Sequence, residues 1–346
     1  MPLITDARQA RAIYREAQQR RICLPAFNTE NRDTTEAAFR AVAEVAREHN
    51  LSQPPLVLAA TANYGQRQQL ANYTSLGAAD EGLLALRDDL ERLCRPGGPY
   101  PQVRAMVHLD HAQPGADRDV LAAGRGFFAS VMCDCSALPL VENMARTKRF
   151  VAEVGAQVMV EGAVDEIAEP GTGAVKSKLT TAEQARRFLD ETGVDLIVVN
   201  LGTEHRVTAG AARYHGDRAR EISAAVGPVL VLHGTSSLRD TSLGMLRDDG
   251  IAKVNIWTRL EHVAAVAMAQ DLLANLGGVL SADDMQALVE QGVLTADFAS
   301  RQGQRAPGLD YIANSHRRDE VCVPAMVAVM KRCLLDCGYA DFGRAA

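Results

Sequence analysis

Eight short apolar runs, separated by stretches with helical spacing and almost always closed by polar or metal-capable side chains, predict an α/β fold. The form is a (β/α)8 TIM barrel with a helical C-terminal extension. Strands alternating with helices imply parallel βαβ units, because a parallel neighbour is reached only by a crossover. A count of eight, with chemistry gathered at the C-terminal strand ends, selects the closed barrel. An open doubly wound sheet would carry a glycine-rich phosphate loop after its first strand. The corresponding turn here, Ala26-Phe27-Asn28-Thr29, contains no glycine.

The elements follow in order. Ala7 to Arg21 reads as an amphipathic helix, and Ile22 to Phe27 as a first strand closed by Asn28-Thr29-Glu30-Asn31. Thr34 to His49 has helical spacing, with Thr34 or Asp33 as its N-cap. Leu56 to Ala60 is the second strand, ending at Thr61-Ala62-Asn63. The longer connection 64–100 holds a helix near Gly82 to Cys94 and the turn Arg95-Pro96-Gly97-Gly98-Pro99. Val103 to Val107 opens the third strand, and Gly126 to Met132 is the fourth. After a helix from Leu140 to Val154, Gln157 to Glu161 is the fifth strand, ending on a carboxylate. Thr181 starts a helix to Thr192, with Glu183 and Gln184 in its first turn. Asp195 to Val199, Pro228 to Leu232 and Ile251 to Val254 complete the eight. Beyond Trp257 the pattern is helical (Glu261 to Leu276, Asp283 to Gln291, Val323 to Cys337), giving a barrel over 1–270 and an extension over 271–346. That extension is expected to cap the barrel or to build an oligomer contact.

Composition narrows the partners. A net charge of −6 without a Lys/Arg cluster argues against nucleic acid and anionic membranes. Seven scattered cysteines without a CxxC pair fit reduced thiols. The first residues lack the apolar core of a secretion signal, and no apolar run reaches membrane-spanning length, so a soluble cytoplasmic protein is expected.

The chemistry centres on His108-Leu109-Asp110-His111. Side chains alternate along a strand, so His108 and Asp110 project together while His111 begins the loop beyond. His108 is either part of the site or simply a packed, hydrogen-bonded histidine. His111, His205 and His233 follow strands three, six and seven, so a barrel brings them to one rim. Three neutral imidazoles with an open coordination position describe a catalytic rather than a structural zinc site. His49, His215, His262 and His316 lack matching partners and read as surface residues.

The segments PAFNTEN, HLDH, FFASVMCDCS, VEGAV, VVNLGTEH, VLVLHGTSS and IAKVNIWT, in this order and strand context, resemble the class II (zinc-dependent) ketose-phosphate aldolases. The resemblance covers roughly residues 1–270. It implies one catalytic Zn2+ per chain, or another divalent ion, on His111, His205 and His233. It implies that Asp110 exchanges the proton on the hydroxyl that becomes the aldehyde oxygen. Glu169 is implied as the base acting on the substrate carbon, with Glu166 as the other candidate. Asn28, Thr61, Gly202, Arg206, Gly234, Ser236, Asn255, Trp257 and Thr258 are implied to contact substrate. Asp134, with Ser136, matches the family's Asp-x-Ser and is implied to orient the ligands, while Glu161 is either a further orienting group or simply a strand-end acid. A sugar phosphate substrate and a homo-oligomer, dimer or tetramer, complete the implied picture. Splitting a carbon–carbon bond beside a ketone leaves an enediolate, which a bound cation stabilises as a Lewis acid.

The chain departs from the family pattern at four places. Ala163 stands where a second glutamate is usual, Arg206 where a glycine follows the second zinc histidine, Thr235 for the middle glycine of His-Gly-Gly-Ser, and Trp257 for an aspartate. Metal triad and proton carrier are kept while the substrate grip is rebuilt. The expectation is therefore an aldolase acting on something other than fructose 1,6-bisphosphate. Its alternatives are a zinc-dependent epimerase or other lyase, and a non-catalytic regulatory or assembly barrel.

Overall fold

The computed structural model describes residues 3–65, 67–165, 179–203, 214–238, 243–302 and 316–343. Its strands are β1 (Leu3–Ile4), β2 (Leu24–Asn28), β3 (Pro55–Thr61), β4 (Arg104–Ala112), β5 (Phe128–Cys133), β6 (Met159–Ala163), β7 (Leu196–Val198), β8 (Leu230–Leu232) and β9 (Ile251–Ile256). All pair in parallel, in the order β4-β3-β2-β9-β8-β7-β6-β5, and a β4–β5 pairing closes the ring. The eight expected strands thus form a closed barrel. β1 is an addition that the sequence pattern does not reveal. It pairs with Ala105 and Met106, upstream of the point where β5 joins β4 at Val107, so it fills an edge that β5 leaves open.

Helices between the strands supply the outer layer. α1 (Ala7–Gln19) buries Ala10, Ile13, Tyr14 and Ala17 along one stripe, as an amphipathic helix must. α2 (Arg32–His49) starts one residue pair earlier than its apolar spacing suggests. Asn31 is its cap, because its side chain accepts from the Thr34 N–H at 2.9 Å, and Asp33 and Thr34 fall in the first turn. Next come α3 (Gln69–Asn72), α4 (Ala79–Cys94), α5 (Arg118–Ala123), α6 (Leu140–Val154) and α7 (Ala182–Thr192). α7 begins with the expected capping box, Thr181 and Gln184 each bonding the other's backbone N–H. α8 (Gly216–Val226) and α9 (Met245–Asp248) complete the layer.

Packing divides the chain into two compact units, Met1–Arg259 with Met330–Ala346, and Leu260–Val329. α10 (Thr258–Ala274), α11 (Ala282–Glu290), α12 (Ala296–Arg301) and α13 (Val323–Asp336) are helical, and no strand follows β9 among the described residues. No helix among the described residues is long and apolar enough to cross a membrane.

Parallel strands covered by helices are buried on both faces, and every residue of β3 is buried. The barrel interior is nonetheless partly ionic. Lys253 of β9 places its Nζ 2.7 and 2.8 Å from the two carboxylate oxygens of Glu161 on β6, with both side chains fully buried. Removing an ammonium and a carboxylate from water is costly, and a contact to both oxygens is the geometry that offsets most of it.

Candidate active site

The rim at the C-terminal strand ends gathers the expected side chains. The register pairs Thr61 with Asp110 directly, and Asn28 follows on the next strand. Asn28 Nδ2 donates to Asp110 Oδ2 at 2.9 Å and to Gln69 Oε1 at 3.1 Å. Gln69 Oε1 also accepts the Thr61 N–H at 3.0 Å. The Thr61 hydroxyl donates to the Arg67 carbonyl, tying the loop after β3 to the rim. One Asp110 oxygen is therefore anchored, while Oδ1 is buried without a hydrogen-bond partner among the described residues.

In a regular strand His111 would point away from Asp110. It does not, because β4 carries a bulge: Leu109 pairs with Val131 and Ala112 with Cys133, leaving Asp110 and His111 in the extra length. His111 has φ +49, a left-handed backbone unusual outside glycine, and this turns its ring toward the rim. Such strain concentrates at functional sites. His111 Nε2 then lies 3.2 Å from His233 Nδ1, and Asp110, His111 and His233 offer ligand atoms all within 4.8 Å of one another.

The protonation pattern follows from the neighbours. Burial pushes the Asp134 carboxyl up, but hydrogen bonds from His111 and Ser136 outweigh it and hold it at about 2. An ionised carboxylate only accepts, so across the 2.7 Å contact it is His111 Nδ1 that donates, and Nε2 is the nitrogen turned toward His233. Ser136 steadies Asp134 through its hydroxyl at 2.6 Å and its N–H at 3.1 Å. Burial lowers the His233 imidazole to about 3, so it is neutral at physiological pH. Burial likewise pushes Asp110 up, yet His111, His233, His108 and Lys253 together hold it well below the usual carboxylate range.

This geometry fits a metal ion. Two imidazole nitrogens at about 2.0–2.1 Å from a tetrahedral zinc stand about 3.3 Å apart, close to the 3.2 Å observed. The carboxylate behind His111 is the partner that metal-bound imidazoles usually have. Asp110, His111 and His233 are the described residues that could hold a cation. His205, Arg206, Glu166 and Glu169 lie outside the described residues.

The remaining expected residues fall as follows. Gly234 (φ +70) and Gly202 (φ +85) form the turns after β8 and β7 in a conformation that glycine adopts without strain. Ser236, Asn255, Trp257 and Thr258 line one recess with Asn28, Asp110, His233 and Gly234. His108 is fully buried, its Nδ1 2.8 Å from Ser130 Oγ and its Nε2 3.6 Å from Glu161. Glu161 thus sits below the rim, bound to Lys253. A separate cleft of about 390 Å³ is lined by Tyr64, His111, Asp134, Ala163 and Asp165, so the missing second glutamate at Ala163 leaves open space there.

Sequence reading missed Tyr64, Arg67, Gln69 and Lys253. Tyr64 stacks on His111 with ring centres 4.0 Å apart and planes 11° off parallel. Arg67 lies over the other rings, its guanidinium carbon 4.9 Å from the Tyr64 centroid and 5.4 Å from that of Trp257. Trp257, implied by the resemblance to contact substrate, turns a face toward the protein's own guanidinium. The available signal was the cluster Tyr64-Gly65-Gln66-Arg67 just past the polar end of the second strand, which reads as mere connection.

A parallel eight-stranded barrel with a cation-capable His/His/Asp cluster on its C-terminal rim defines the class: a barrel enzyme with its chemistry at the strand ends. Residues 8–302 match the family model described as fructose-bisphosphate aldolase class-II. The chain is 31% identical over 255 residues to the D-tagatose-1,6-bisphosphate aldolase subunit GatY of Klebsiella oxytoca, covering 71% of this chain and 79% of that one. Among solved structures, the fructose-bisphosphate aldolase of Campylobacter jejuni superimposes with a TM-score of 0.69 at 17% identity, over 96% of this chain and 95% of that one. The YdjI aldolase of Escherichia coli K12 gives 0.56 at 22% identity, over 78% and 87%. The chain belongs to the class II fructose-bisphosphate aldolase family and is an aldehyde-lyase of that type.

Proposed function

We propose that this chain is a zinc-dependent aldolase that makes or breaks a carbon–carbon bond beside the ketone of a sugar phosphate or related ketose. Fructose 1,6-bisphosphate is not the substrate it prefers. The observation that carries the reading is the 3.2 Å approach of His111 Nε2 to His233 Nδ1 beside a buried carboxylate with one bare oxygen. The relative at 31% identity is by its name a tagatose-bisphosphate aldolase subunit, which supports a ketose phosphate.

In this reading His111, His205 and His233 hold one zinc ion per chain. The ion supplies Lewis-acid stabilisation of the charge left when the bond beside the ketone breaks. Asp110 takes or returns the hydroxyl proton with Oδ1, while Asn28 fixes Oδ2. Glu169 moves the proton at the nucleophilic carbon. Asp134 and Glu161 orient the site, the first through His111 and the second through Lys253. Asn28, Thr61, Gly202, Arg206, Gly234, Ser236, Asn255, Trp257 and Thr258 grip the substrate. The enzyme works in the cytoplasm as a homo-oligomer, without nucleic acid or membrane.

Metal analysis tests the site. The purified full chain is expected to bind about one zinc per chain, and His111→Ala, His205→Ala and His233→Ala each to lose most of it. Unchanged zinc in His205→Ala would remove the third ligand from the assignment.

A further inference from the structure

We propose that Arg67, clamped between Tyr64 and Trp257, is the anion receptor of this site. It binds an oxyanion of the substrate, a carboxylate or a phosphate ester, and so decides which substrates are accepted. The inference rests on the aldolase reading and deepens it by naming the group that the rebuilt grip selects.

Arg67 is only 5% exposed, yet its Nε and Nη2 are buried without a hydrogen-bond partner among the described residues. A guanidinium is always charged and presents a planar fork of donors matched to carboxylate and phosphate oxygens. Two aromatic faces offset part of the cost of burying that charge and fix the plane of the fork, but they satisfy none of its donors. Glu30, whose carboxyl feels the Arg67 charge, is already taken by the side chains of Asn72, Gln69 and Trp257. The fork is held ready and left open.

The surroundings say what belongs there. Arg67 lines the same recess as Asn28, Asp110, Asn255 and Trp257. Three of these also have buried polar atoms unpartnered among the described residues: Asn28 Oδ1, Asp110 Oδ1 and both amide atoms of Asn255. Buried polar atoms are nearly always satisfied, so such a concentration around one recess marks the place of a polar ligand. The recess has a free volume of about 20 Å³, room for about one water and so for one oxygen of a ligand. Asp110 repels an anion, so the oxyanion belongs on the Arg67 side, with hydroxyl or carbonyl oxygens toward Asp110 and the histidines.

Trp257 is the only tryptophan in the chain and faces Arg67, so its emission reports on the fork. The purified full chain is titrated with inorganic phosphate and, separately, with acetate, for the native sequence, Arg67→Met and Arg67→Lys. Native protein is expected to give a saturable change in emission with at least one of the two anions. Arg67→Met should weaken that affinity by about tenfold or more, and Arg67→Lys, a point charge without the fork, should fall between. The anion that saturates at lower concentration identifies phosphate or carboxylate as the group. An affinity within about twofold of native in Arg67→Met, or no saturable change in native protein, overturns the proposal. Kinetics give the second readout: KM for the charged substrate should rise by about tenfold or more in Arg67→Met, with kcat changed far less, because the contact is made in ground and transition states alike. Absence of any aldol turnover in native protein that still binds the anion through Arg67 would count against the aldolase reading and not against the receptor.

Discussion

His111 Nδ1 donates to Asp134 Oδ2 across 2.7 Å, and this one bond decides which ring nitrogen is left to face the site. Asp134→Ala frees the tautomer and the ring. Metal affinity is expected to fall by about 10- to 100-fold, measured by competition with a coloured chelator. Asp134→Asn, which can accept through its amide oxygen, should fall between.

Asp110 separates ligation from proton transfer. Its Oδ1 is 3.9 Å from His233 Nε2, and Oδ2 is held by Asn28. Asp110→Ala should keep its zinc and lose cleavage by about 10²–10⁴-fold. Metal content and turnover measured on the same sample decide this, and zinc lost in parallel with activity would make Asp110 a ligand.

Lys253 and Glu161 act on stability. Lys253→Met leaves a fully buried carboxylate facing His108 with no cation against it, and the expected loss is about 3–5 kcal/mol in urea unfolding. Adding Glu161→Gln to Lys253→Met should recover a large part, since the cost lies in the unpaired charge rather than in a missing contact. Equal losses in single and double variants would show the pair to be uncoupled.

The substrate prediction follows from Thr235 and Trp257. The Thr235 hydroxyl donates to the Asn255 carbonyl at 2.8 Å, which stiffens a turn where a glycine would be free, and Trp257 stands for a sugar-orienting acid. Fructose 1,6-bisphosphate should be cleaved with kcat/KM below about 10⁴ M⁻¹s⁻¹, measured with the aldehyde product trapped.

Much of the fold was legible because parallel strands are continuous apolar runs closed by polar residues, as in Leu56 to Ala60 before Thr61. β1 was not, since two residues carry no period. Asn31 was passed over as a cap because the apolar spacing starts only at Thr34. At the site, residue types and order were legible, but aim was not: His111, expected to begin the loop beyond the strand, lies within β4, and the bulge with its positive φ turns it toward the rim. Lys253 lies inside an apolar strand, where nothing local announces that its partner is Glu161 three strands away around the ring. Arg67 belongs to a loop, and its position is set by Tyr64, Trp257 and the Thr61 hydroxyl, contacts that no spacing rule reads.

The most direct test of the account is aldol cleavage itself, assayed on a panel of ketose mono- and bisphosphates, D-tagatose 1,6-bisphosphate among them. The account predicts cleavage of at least one, abolished by a chelator, restored by added zinc and absent in Asp110→Ala. Full zinc occupancy with no cleavage of any of them, or cleavage that survives complete removal of the metal, would contradict it.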